Sequence, residues 1–148
     1  MSRNETLKIV LRPPNIYVGD TGTAKGRGVF ANAPIKPYDL VEVAPVIVLR
    51  PHTLPRIVAT ILFNWGELAK IPNTWAIAFG YGSLYNHANP ASLRYEADVE
   101  GRALRFIAVR DIAAGEELTI NYNARGGGPT WPDNHWFETF GITRLEDG

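Results

Sequence analysis

Cysteine is absent from the 148 residues, which excludes disulfides, a thiol nucleophile and any zinc site built on thiolates. An excess of charge is absent too. Fifteen lysines and arginines balance fifteen aspartates and glutamates, so no net field draws the chain to a polyanion or an anionic membrane surface, and direct nucleic-acid binding is not expected. Histidine is scarce: His52, His87 and His135 stand far apart with no HExxH or HxH spacing, so no metal site is expected. Long apolar runs are missing as well. The stretch LVEVAPVIVL is interrupted by Glu42 and Pro45 and falls short of the roughly 18 residues of a membrane span. The opening MSRNETLKIVLRPP carries no long apolar segment followed by a small-residue cleavage site. The expectation is an intracellular soluble protein, cytoplasmic, or nuclear if its source is eukaryotic or viral.

What is present points to one globular domain over residues 1–148, since 45% of the chain is hydrophobic and a domain of this size buries about two thirds of its unfolded surface. Eleven prolines and fourteen glycines cut the sequence into short pieces rich in Val, Ile, Tyr, Phe and Trp, a mostly β pattern. Strands are expected at 7–11, 16–18, 28–32, 40–49, 75–79, 93–98, 103–109 and 118–122. In ALRFIAVR, Leu104, Phe106 and Ala108 alternate with Arg105, Ile107 and Val109, which predicts one buried and one partly covered face. Thr53 as a cap, with Ile57, Ile61, Leu62 and Trp65 at helical spacing, predicts one helix. A hairpin is expected near Glu100 and Gly101, and Gly115 marks a turn that needs positive φ. The segment 123–148 contains a glycine run followed by Trp131, Trp136, Phe137 and Phe140. It is too apolar for a free tail and is expected to fold back onto the body.

Three pieces combine glycine with polar and aromatic groups: KGRGVFA at 25–31, GYGSLYNH at 80–87 and GEELTINY at 115–122. Each alone reads as ordinary structure. A Gly-x-Gly makes tight turns, or lets backbone N–H groups approach an anionic ligand; no third glycine opens a helix, so it is not a dinucleotide fingerprint. Asn86 and His87 before Pro90 read as a turn, and Tyr122 as a rim tyrosine with a bonded hydroxyl. Glu116 and Glu117 are adjacent, so they point to opposite faces of a strand; Glu116 is read as solvated.

In order and spacing the three pieces resemble the SET-domain protein lysine methyltransferases, over about residues 25–122, and are similar in layout to the minimal single-domain viral and bacterial members. The resemblance implies a β-clip-like fold of small curved sheets with one or two short helices and a C-terminal segment threaded close to the Asn-His turn. It implies S-adenosylmethionine as cofactor and a protein substrate presenting a lysine, histone-like or other. Gly26, Arg27 and Gly28 match the turn that meets the methionine part of the cofactor. Asn86 matches the contact to its amino acid end, and His87 the residue whose backbone pairs with adenine. Tyr122 matches the tyrosine nearest the transferred methyl. Tyr95, nine residues past Asn86, matches a second channel tyrosine, a one-residue slip putting Arg94 there instead. Trp136 or Trp131 would lie on the adenine, with 123–148 closing the cofactor site.

The chain departs from the family pattern at several points. Ala88 stands where the family has serine, and Ala91 and Ser92 where it has proline and asparagine. The arginine ahead of the Asn-His pair in eukaryotic members is missing, and without cysteine there is no zinc-bound segment after the domain. These departures keep a second expectation open, a catalytically inactive SET-like module that binds a peptide or the cofactor. Either a monomer or a homodimer is compatible with the residues.

Overall fold

The computed structural model describes residues 14–50, 55–124, 128–130 and 135–140. The expected strand at 7–11, the cap Thr53 and the aromatic Trp131 lie outside the described residues.

The elements run β1 (Ile16–Asp20), β2 (Arg27–Ala31), β3 (Leu40–Leu49), α1 (Arg56–Ala59), α2 (Trp65–Ala69), β4 (Trp75–Ala78), β5 (Asn86–His87), β6 (Leu93–Asp98), β7 (Ala103–Ala108), β8 (Glu117–Ile120) and α3 (His135–Phe140). They form two four-stranded sheets, ordered β1-β2-β8-β5 and β4-β3-β7-β6. All pairings are antiparallel except that of β5 with β8. Mostly β structure in curled sheets is what the sequence leads one to expect; among the described residues there are three short helices, where one or two were expected.

Both sheets contribute to one core, with Val29, Leu118 and Ile120 from the first and Leu93, Leu104 and Phe106 from the second. Leu104, Phe106 and Ala108 are fully buried, while Arg105 and Val109 are half-buried and Ile107 is covered, as the alternation predicts. In β3 a bulge sets Leu40 opposite Ile107 and Glu42 opposite Phe106. An extra residue at a bulge turns two successive side chains the same way, and Val41 and Glu42 are both buried. Pro45 sits opposite Ala103, where pairing with β7 ends, one residue before pairing with β4 begins at Val46. A residue without an N–H is tolerated in a strand at such a changeover.

The expected helix divides into α1 and α2. Ile57 and Ile61 are exposed whereas Trp65 is buried, so the predicted stripe does not continue along one helix. Phe63 instead exchanges backbone hydrogen bonds with Ala76, which takes the chain out of helical geometry. α2 restarts from Asn64, whose side chain accepts from Glu67 N at 3.2 Å, and buries Trp65. The hairpin after β6 turns where expected, with Gly101 N donating to Asp98 Oδ1 at 2.8 Å. Gly115 has φ of 82°, a conformation that glycine adopts without steric cost.

Candidate active site

Asn86 and His87 do not end a turn but form β5, parallel to β8 with Asn86 opposite Thr119 and His87 opposite Ile120. β8 stops at Ile120, two residues earlier than expected, which leaves Tyr122 beyond the strand. Its backbone N–H donates to His87 Nδ1 at 3.0 Å, so that ring nitrogen acts as an acceptor. The Asn86 amide donates to Arg27 O at 2.9 Å and to Glu117 Oε2 at 2.8 Å. Gly26, Arg27, Gly28, Asn86 and His87 are thereby brought to one place, around the junction of β2, β5 and β8.

Gly28 is enclosed there. A Cβ on it would stand 2.5 Å from Glu117 Oε2 and 3.0 Å from Asn86 Nδ2. Gly26, at φ of 76°, has no heavy atom within 4 Å of where a Cβ would be. The turn thus packs against the protein at Gly28 and leaves free space at Gly26, which suits the close approach of a small ligand to the backbone. His87 is buried, and its carbonyl accepts from Lys25 Nζ at 3.3 Å.

On the other side of Tyr122 lies a cavity of about 540 Å³ lined mainly by apolar and aromatic groups, among them Phe63, Trp75, Tyr85, Tyr95, Tyr122 and Trp136. Among the described residues, Glu67 is its only carboxylate, and neither lysine nor arginine lines it. Tyr122 and Tyr95, the two tyrosines singled out in the sequence, both contribute to it. Arg94, the alternative to Tyr95, points elsewhere and pairs with Glu96 at 3.1 Å. The Tyr122 hydroxyl donates to Tyr85 O at 2.8 Å, and the Tyr95 hydroxyl to Ala124 O at 3.2 Å. Burial pushes the Tyr122 hydroxyl up to about 12, with a smaller contribution from Glu117. Burial also raises that of Tyr95, again with a carboxylate, Glu67, adding to it.

Of the segment after residue 130, the described part is 135–140, which packs against the body. α3 sets Trp136 on Tyr122, ring centroids 4.8 Å apart, and Phe137 edge-on to His87 at 4.9 Å. Trp136 N donates to Asn123 Oδ1 at 2.8 Å. Trp136 therefore lines the cavity with Tyr122, while Phe137, which composition did not single out from the other aromatics, is the one against His87. The loop after β5 is tied to the chain following β8 by Ala88 N to Ile120 O and Ala91 N to Pro129 O, both 3.0 Å. Ser92, where the resemblance has asparagine, exchanges two bonds with Thr119, donating from N at 3.1 Å and accepting on Oγ at 3.0 Å.

Two readings need correction or addition. Glu116 is not simply solvated: it pairs with Arg110 at 2.6 Å and accepts from Ala113 N, and Arg110 chiefly holds its carboxyl below the ordinary range. The buried Glu42 and Tyr85, joined at 2.7 Å, were not foreseen. A glutamate in an otherwise apolar strand was their only signal.

The SET domain family matches residues 26–123, and the chain belongs to that family. Membership carries the enzyme class expected from the sequence, a protein-lysine N-methyltransferase. The chain is 28% identical over 134 residues to the H3 lysine-37 specific histone-lysine N-methyltransferase of Schizosaccharomyces pombe, covering 87% of this chain and 80% of that protein. Among solved structures it is similar to a candidate histone methyltransferase of Plasmodium falciparum, with TM-score 0.64 and 24% identity over 76% of this chain and 96% of that one. It also resembles a chain of the Chaetomium thermophilum polycomb repressive complex 2, with TM-score 0.58 and 21% identity, covering 76% of this chain but 16% of the other. At these identities the structural likeness concerns the fold.

Proposed function

We propose that this chain transfers methyl groups from S-adenosylmethionine to the side-chain amine of lysine in a protein substrate. The observation that carries this reading is the state of two hydroxyls. A tyrosine hydroxyl has one proton and two lone pairs. Tyr122 and Tyr95 both give their protons to backbone carbonyls, so at these two hydroxyls a guest in the cavity meets acceptors. That suits the N–H groups of an amine.

Free lysine titrates near 10.4, so on the order of one in a thousand is neutral near pH 7. The apolar lining favours the neutral form by desolvation. Tyr122 keeps its own proton to about pH 12, so it remains a neutral acceptor throughout the range in which the amine loses its charge. By holding an amine N–H it turns the nitrogen lone pair along a fixed direction, and such placement contributes more to rate here than a general base would.

When bound, S-adenosylmethionine supplies the methyl on a positively charged sulfur. The residues that fit its methionine end are Gly26, Arg27, Gly28 and Asn86, because Gly26 faces free space and Asn86 fixes the turn. The backbone of His87 and the aromatics of α3 are the groups assigned to the adenine. The similarity to a histone H3 methyltransferase puts histone tails first among substrates to test.

The test is transfer of labelled methyl to a mixture of histones and lysine-rich proteins, with Tyr122→Phe beside the native chain. Label on lysine that is lost in the variant supports the reading. Cofactor binding without transfer would point to a substrate outside the mixture or to the inactive binding module, and no binding would overturn the reading.

A further inference from the structure

One buried charge has no part in the chemistry above. Glu42 is 4% exposed and does not line the cavity. Its Oε1 accepts from the Tyr85 hydroxyl and its Oε2 from Tyr81 N, each at 2.7 Å. The loop 80–85 is shaped around this carboxylate: Gly80 has φ of 64°, and a Cβ there would stand 2.5 Å from Glu42 Oε2. Burial raises the carboxyl above its ordinary range, and the two donors oppose that rise. A buried carboxylate costs several kcal/mol unless compensated, and apolar residues of similar volume often serve stability as well or better. Its presence calls for a geometric reason.

Tyr85 supplies one. It is 1% exposed, with its ring against Phe106 at 4.7 Å. Its hydroxyl is held by Glu42, and its carbonyl accepts the proton of the Tyr122 hydroxyl. One residue thus links, through its hydroxyl, the carboxylate of β3 in the second sheet and, through its backbone carbonyl, the tyrosine that follows β8 in the first.

We propose that Glu42 is a positioning residue that, through Tyr85, fixes the direction of the Tyr122 hydroxyl. The inference rests on the methyl-transfer reading for its kinetic consequence, but the geometric link stands apart from it. Glu42 moves no proton in the reaction. It holds the Tyr85 carbonyl where it takes the Tyr122 proton and so keeps the hydroxyl's acceptor side toward the cavity.

The variants are Tyr85→Phe, which keeps the ring, Glu42→Ala, Glu42→Gln and the double variant with Glu42→Ala and Tyr85→Phe. Each is measured for kcat and KM on the histone mixture, for melting temperature, and for the NMR resonance of 13Cζ-labelled Tyr122 without substrate. Tyr85→Phe and Glu42→Ala each lower kcat about tenfold with KM within about threefold. The double variant falls no further, because both act on one link. Glu42→Gln still offers Tyr85 an acceptor and recovers part of the loss, although its amide faces Tyr81 N–H and its melting temperature falls. The Tyr122 resonance moves in Tyr85→Phe. A hundredfold loss in the double variant, or a kcat that simply follows melting temperature, overturns the proposal. An unmoved Tyr122 resonance overturns it whether or not the chain transfers methyl. A shifted resonance in a chain that transfers nothing supports the link and removes only the methyl-transfer reading.

Discussion

The side-chain amide of Asn86 donates to the carbonyl of Arg27 at 2.9 Å, across 59 residues of sequence. The same amide bonds Glu117 at 2.8 Å, so one group joins the glycine turn, β5 and β8. Asn86→Ala leaves a carbonyl and a carboxylate short of a donor, a loss of about 1–3 kcal/mol. Affinity for S-adenosylmethionine falls more than tenfold in calorimetry. An unchanged affinity would remove Asn86 and its turn from the cofactor site.

Tyr122→Phe removes the hydroxyl and keeps the ring that Trp136 covers. Transfer drops at least a hundredfold, while cofactor affinity measured by calorimetry stays within about threefold. Equal losses of both would mean that the ring, not the oxygen, matters.

The pH dependence follows from the same hydroxyl. Its value in the fold, about 12, lies above the roughly 10 of an unfolded tyrosine. Folding therefore opposes its ionisation, and its contribution to stability is complete below pH 10 and lost as pH rises toward 12. Urea unfolding of the native chain loses stability between pH 9.5 and 11 by more than Tyr122→Phe does. In the same range kcat/KM climbs as the lysine becomes neutral, without a falling limb from Tyr122. Such a limb near pH 10 would contradict the hydroxyl's raised value.

Among the described residues, Glu67 is the one charged side chain lining the cavity. A carboxylate there attracts a lysine ammonium, and the attraction weakens with salt. Glu67→Gln raises KM for a lysine substrate about three- to tenfold, leaves kcat nearly unchanged and flattens the salt dependence of kcat/KM. A KM that does not respond would place the carboxylate outside the substrate's path.

Trp136→Ala uncovers Tyr122 and opens one wall of the cavity. Deletion of residues 130–148 goes further and abolishes cofactor retention in equilibrium dialysis, with the β circular-dichroism signal preserved. Full retention after deletion would show that the tail does not close the site.

Local chemistry made much of this legible in one dimension. Leu104, Phe106 and Ala108 alternate with less buried partners because a strand's side chains change face at every residue. Gly101 and Gly115 announced turns because few other residues fit them. The three glycine and polar pieces were readable because their order and spacing lie in the covalent chain. The helix at 53–65 misled for the opposite reason: its apolar spacing was right, but Ile57 and Ile61 stay exposed, and Phe63 pairs with Ala76 instead.

By itself, then, the sequence determined the β-rich class, the turns at Gly101 and Gly115, and the family. The tertiary structure alone decided that Asn86 and His87 become a strand, that Trp136 meets Tyr122 and Phe137 meets His87, and that Glu42 holds Tyr85 43 residues away. The physical reason is that conformational preference acts over a few neighbouring residues, whereas these pairings depend on burial and hydrogen bonding between groups that approach only when the two sheets close around one core.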